Sequence, residues 1–178
     1  MSELTHFERL GLSRRFAIDL AELERNYLGR SRESHPDYHH LAAAAEQRAS
    51  METTAALNEA YATLRAPFRR AEYLLALEGG PSAADHKAME AAFLEEMLEL
   101  RMEIEDLRES SSVDSPSRAT MARQLTERTG RLQLDLAEQF ERLEHAADAA
   151  RGTILLSVRQ LLNAARYLEG LLRDLRAD

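Results

Sequence analysis

Cysteine is absent from the 178 residues. That rules out disulfides, thiolate zinc sites and iron–sulfur clusters ligated by the chain itself. Glycine (7) and proline (4) are few, so little interrupts regular structure. Valine and isoleucine are scarce, which removes the residues that favour strands. A surplus of positive charge is missing too: 31 acidic against 23 basic side chains give a formal net charge of −8. Nucleic acid is thereby disfavoured as a main partner, because phosphate binding needs a basic surface. No apolar run is long enough to cross a bilayer. The opening "MSELTHFERLGL" has neither an apolar signal core nor an Arg/Ser-rich transit character, so a cytoplasmic location is expected. No Gly-rich phosphate loop with a following Lys-Ser/Thr is present, so the chain is not expected to hydrolyse ATP.

What remains is a chain of Ala, Leu, Glu and Arg with 44% hydrophobic residues. Such side chains lose little freedom in a helix, and they predict an all-α protein with a real core. Residues 4–10 predict a short helix with Leu4, Phe7 and Leu10 on one side, stopped by Gly11. A second helix follows from "IDLAELERNYLGRSRES", with Asp19 as N-cap, Glu22 three residues on, and Leu20, Leu23 and Tyr27 on one face. Pro36 ends it. A third helix is expected over 41–64, antiparallel to the second, with Ala42, Ala45, Ala49, Leu57, Ala60, Tyr61 and Leu64 inward. A fourth starts at Pro67 and stops at Gly79-Gly80-Pro81. These elements fill residues 1–77, and "EGGPSAAD" suggests a linker over 78–85. Residues 86–178 then predict an antiparallel three-helix bundle. Its helices are expected over 85–108, 118–147 and Thr153–Leu175, with a loop at 109–117 and a turn near Gly152.

The segment "SRESHPDYHH" (31–40) gathers three histidines and a His-Pro-Asp triplet in ten residues. It is open to four readings: a metal site, a His-Asp acid–base pair, a helix-ending turn or a docking tip. Metal is weakened because Pro36 breaks the helical spacing of His35 and His39, and no other His or Cys cluster completes a tetrahedron. Catalysis would need a cleft and a nucleophile, which the flanks do not offer. The triplet by itself does not decide between turn and tip.

The surroundings of the triplet do. A short helix, a long helix, His-Pro-Asp and a long antiparallel helix resemble the J-domain. Further on, "LNEAYATLRAPFRRAEYLL" (57–75), "FLEEMLELRMEIEDL" (93–107) and "ARYLEGL" (165–171) are similar to the iron–sulfur co-chaperone family HscB. These stretches span nearly the whole chain in order. The resemblance implies a J-domain over 1–77 that stimulates the ATPase of a DnaK-like (HscA-like) chaperone. It implies that His35, Pro36 and Asp37 meet that ATPase, with Arg25 and Arg32 on one face of the second helix docking against an acidic groove. It also implies that the bundle holds an IscU-like iron–sulfur scaffold protein through Leu94, Leu98, Glu99, Met102 and Tyr167. The chain would need no cofactor or metal of its own. Four residues depart from the family pattern: in the bundle Glu95 stands where a second hydrophobic is frequent and Met102 where an acid is frequent, and near the triplet Ser34 stands where Tyr is usual and Arg30 where a core Leu is usual. With Gly29, Ser34 and Arg30 predict a loosened end of the second helix, with Leu28 or Tyr38 as candidates to fill the gap.

Independently of any family, the 93–107 stretch carries two apolar rows. Phe93, Met97, Leu100, Ile104 and Leu107 follow the 4-3-4-3 rhythm of a core seam. Leu94, Leu98 and Met102 form a second row at i, i+4, i+8, which is either one edge of a wide core face or an exposed patch. Three other functions compete: a J-protein for an unrelated client, a structural adaptor with a coincidental tip, and a His-based metalloenzyme.

Overall fold

The computed structural model describes residues 4–33, 44–110, 112 and 115–177, and no strand occurs among them. Their helices are α1 (His6–Leu10), α2 (Leu20–Glu33), α3 (Ala44–Arg65), α4 (Pro67–Leu77), α5 (Ala91–Ser110), α6 (Pro116–Glu144) and α7 (Asp148–Arg176). They build two compact units, Met1–Leu74 and Leu75–Asp178. His35, Pro36, Asp37, Ser34, Tyr38 and Ala42 lie outside the described residues.

In the first unit, α1 begins with a reciprocal cap. The Glu8 N–H donates to Thr5 Oγ1 at 3.2 Å, and the Thr5 N–H donates to Glu8 Oε2 at 2.8 Å. The Thr5 N–H and the Thr5 hydroxyl, which also donates to Glu8 Oε2 at 2.8 Å, hold the Glu8 carboxyl below its usual range, the backbone bond most of all. Gly11 at φ 66° ends the helix. Phe7 and Leu10 are fully buried, whereas Leu4 is exposed because it precedes the cap and escapes the helical periodicity. In α2, Asp19 Oδ1 accepts from the Ala21 N–H at 2.8 Å. Leu23 is buried but Leu20 is exposed; Leu12 and Phe16 of the connecting segment enter the core instead. Tyr27 stacks on Tyr61 of α3 with centroids 4.2 Å apart, and its hydroxyl donates to Asn58 Oδ1 at 2.8 Å.

The inner row of α3 runs through Ser50, Leu57, Ala60 and Leu64. Ala45 and Ala49, expected inward, are exposed. A methyl group carries too little area to decide which way a helix turns, and Leu57 and Leu64 set the rotation. At α4, Arg70 is buried with its guanidinium 4.9 Å from the Phe16 ring centroid, and Nη1 donates to the Leu64 carbonyl at 2.5 Å. Burial lowers its pKa. Tyr73 stacks on His6 at 4.2 Å, and its hydroxyl oxygen accepts the His6 N–H at 3.0 Å.

The second unit opens with the end of α4. There Gly79 adopts φ 72°, and a Cβ on Gly80 would collide with Leu75 Cδ1, so both glycines are required. Residues 85–90 are not helical: Ser82 and Asp85 close a turn through Ser82 Oγ to Asp85 Oδ2 at 2.6 Å, and α5 starts only at Ala91. Ser115 caps α6, with Pro116 in its first turn. The turn expected near Gly152 falls earlier, between Glu144 and Asp148, and Gly152 lies inside α7. The alanines before it are strong helix formers, and an exposed glycine costs too little to stop them. Met97, Leu100, Ile104, Met121, Leu125, Leu168, Leu171 and Leu175 form one core shared by all three helices.

Candidate docking surfaces

Helix α5 has to serve two environments. Its seam residues Met97, Leu100 and Ile104 are buried against α6 and α7. Toward α6 the edge is closed by Glu96, whose Oε1 lies 2.6 Å from Arg128 Nη1. Arg118, itself buried, donates to the carbonyls of Leu107 and Arg108 at 3.3 and 2.9 Å and so caps the end of α5. With the seam satisfied in this way, the second row faces outward: Leu94 is 41% exposed, Leu98 61% and Met102 61%. Glu99 is exposed beside them. Tyr167 of α7 is 49% exposed and meets Phe93 edge to face at 6.2 Å, which holds its ring at the border of the row. Apolar side chains spaced along one helix face and left in water are what a protein contact needs.

A polar relay behind this surface was not legible in the sequence. Arg159 is fully buried on α7, and its Nε donates to Asn163 Oδ1 at 3.0 Å. Asn163 Nδ2 donates onward to the His86 carbonyl at 3.0 Å, tying the segment before α5 to α7. The only signal was a pair of polar residues at i, i+4 inside an apolar stripe.

Residues 89–176 match the family model described as "HSCB C-terminal oligomerisation domain". Residues 89–176 form an HscB-family domain. The fold of the chain is similar to that of "Chaperone HscB from Vibrio cholerae", at 24% identity and a TM-score of 0.78, over 97% of this chain and 95% of that one. It is also similar to the human co-chaperone protein HscB, at 22% identity and a TM-score of 0.80, over 99% of this chain and 82% of that one. The all-α architecture, a J-domain followed by a three-helix bundle, is that of these HscB structures.

In the amino-terminal unit, Arg25 and Arg32 are exposed on α2 and make no ion pair with another described residue. Arg30 behaves differently. Its guanidinium donates from Nη1 to the Arg9 carbonyl and, at 3.4 Å, to that of Glu8. The departure from leucine at this position therefore clips α2 to the end of α1, and at the described residues it does not loosen α2, which continues to Glu33. Leu28, a candidate to fill the place of that leucine, is 46% exposed. Among the described residues no three His, Asp or Glu side chains gather into a metal-binding group, and no helix is long and apolar enough to cross a membrane.

Proposed function

We propose that this chain delivers an IscU-like iron–sulfur scaffold protein to an HscA-like chaperone of the DnaK class and stimulates that chaperone's ATPase. The observation that carries this reading is the outward row of Leu94, Leu98 and Met102 with Tyr167 beside it, on a bundle whose core is complete without them. These residues, with Glu99, would contact the scaffold. His35, Pro36 and Asp37 would contact the ATPase, and Arg25 and Arg32 would steer α2 toward an acidic groove.

The mechanism is one of proximity. One chain binding both partners raises the effective concentration of scaffold at the chaperone by linkage alone. ATP hydrolysis takes place on the partner, and this chain supplies contacts rather than reacting groups. A J-domain over 1–77, a linker over 78–85 and a scaffold-binding bundle over 86–178 are the parts this scheme needs.

Replacing Leu94, Leu98 and Tyr167 together with alanine tests the reading. Calorimetry with the scaffold protein should show affinity lowered at least about tenfold, roughly 1.4 kcal/mol. The bundle should keep its helical circular dichroism. Unchanged affinity would place the scaffold contact elsewhere.

A further inference from the structure

Lys87, Arg101, Arg166 and Arg173 line one groove of about 450 Å³ on the carboxy-terminal unit, with Tyr167 in its wall and Asp174 as its one acid. All four cationic side chains are exposed. None of them forms an ion pair or side-chain hydrogen bond with another described residue. Elsewhere on this unit several cations are engaged, Arg128 with Glu96, Arg151 with Glu78, and Arg118 and Arg159 with internal acceptors, while others such as Arg131 and Arg142 stand singly on the surface. A chain of net charge −8 has acids to spare, yet these four positive groups share one groove with a single carboxylate. Like charges so placed repel one another, and an anionic occupant would relieve that repulsion.

The groove is continuous with the apolar row. Tyr167 belongs to both. On α5, at 100° per residue, Arg101 lies about 20° from Leu94, between the buried seam and the outward row. The cations come from the segment before α5, from α5 and from two turns of α7, so they are distributed along the groove. Such spacing suits several separate carboxylates on an extended chain better than one compact phosphate.

We propose that this groove seats an acidic segment, rich in Asp and Glu, of the same protein that covers Leu94, Leu98, Met102 and Tyr167. The identity of that protein rests on the scaffold reading above; the acidic character of its segment rests on the groove.

The test uses the full chain and two titrants, the IscU-like scaffold protein and a synthetic octaglutamate peptide, followed by calorimetry at about 50 and about 500 mM salt. The Lys87→Glu/Arg166→Glu/Arg173→Glu variant should bind scaffold at least about tenfold more weakly at low salt, with the deficit shrinking at high salt. It should also lose octaglutamate binding. Arg166→Lys/Arg173→Lys keeps the charge and should bind both titrants within about twofold of the original chain. Leu98→Ala should weaken scaffold binding alike at both salt levels and leave the peptide untouched.

The proposal is overturned if the charge-reversed chain binds scaffold with unchanged affinity and salt dependence, or if the original chain does not take up octaglutamate. It is equally overturned if inorganic tripolyphosphate binds the groove and the peptide does not, or if charge reversal abolishes only self-association in sedimentation. Should Leu98→Ala leave scaffold affinity intact while charge reversal abolishes it, the groove stands and the reading of the apolar row falls.

Discussion

His6 shows how one side chain ties stability to pH. Its imidazole is packed on Tyr73, and burial holds its pKa below the usual 6.5. Arg9 and Arg69 push in the same direction and Glu59 opposes them. The folded unit therefore takes up a proton less readily than the unfolded chain. Stability that is present above pH 6.5 is lost as the pH falls through the lowered value. Between about pH 7.5 and about pH 5.5 the melting temperature of the amino-terminal unit should fall, and it should fall less in His6→Phe, which keeps an aromatic ring for the stack. Parallel falls in both proteins would show that His6 plays no part in the pH response. Asn163 is a second residue with an outsized effect. Asn163→Leu strands the Arg159 Nε and frees the His86 carbonyl, and should cost about 1–3 kcal/mol in urea unfolding. A loss under about 0.5 kcal/mol would show the relay to be dispensable.

At the scale of the element, α7 carries the clearest lesson about what a sequence exposes to view. The sequence shows a heptad-like row of Ile154, Val158, Leu161, Ala165, Leu168, Leu172 and Leu175, legible because large apolar groups at regular spacing must be covered by something; five of the seven are buried, and Leu161 and Leu172 are half-buried. Its start was not, because glycine is a common helix stop; Gly152, with open space where a Cβ would sit, is merely a weak helix residue. Gly152→Ala should therefore stabilise the bundle by about 0.5–1 kcal/mol, read as a raised melting temperature. A lowered one would mean that the glycine has a packing role. Helix α5 divides in the same manner. Its seam was legible as a 4-3-4-3 rhythm, while the second row stayed ambiguous between core edge and patch, since periodicity gives a face and not its neighbour. Arg30 was illegible for a further reason: its value lies in two carbonyls at the end of α1, some twenty residues away in sequence. The cationic groove is assembled from three stretches of chain, which no local pattern brings together.

For the whole molecule, the proposed function assigns two partners to different residues, so each contact should be open to disabling alone. Asp37→Asn should leave scaffold affinity within about twofold and abolish stimulation of the chaperone's ATPase, because it removes the carboxylate charge that the proposed function assigns to the chaperone contact. Wild-type stimulation by that variant would sink the docking role of the tip. The most direct test of delivery is single-turnover ATP hydrolysis by the HscA-like chaperone, measured with this chain alone, with the scaffold protein alone, and with both. Both together should accelerate hydrolysis by more than the product of their separate effects, and the Leu94/Leu98/Tyr167 alanine variant should reduce the rate to that product. Rates that simply multiply, with or without the apolar row, would contradict delivery of the scaffold by this chain.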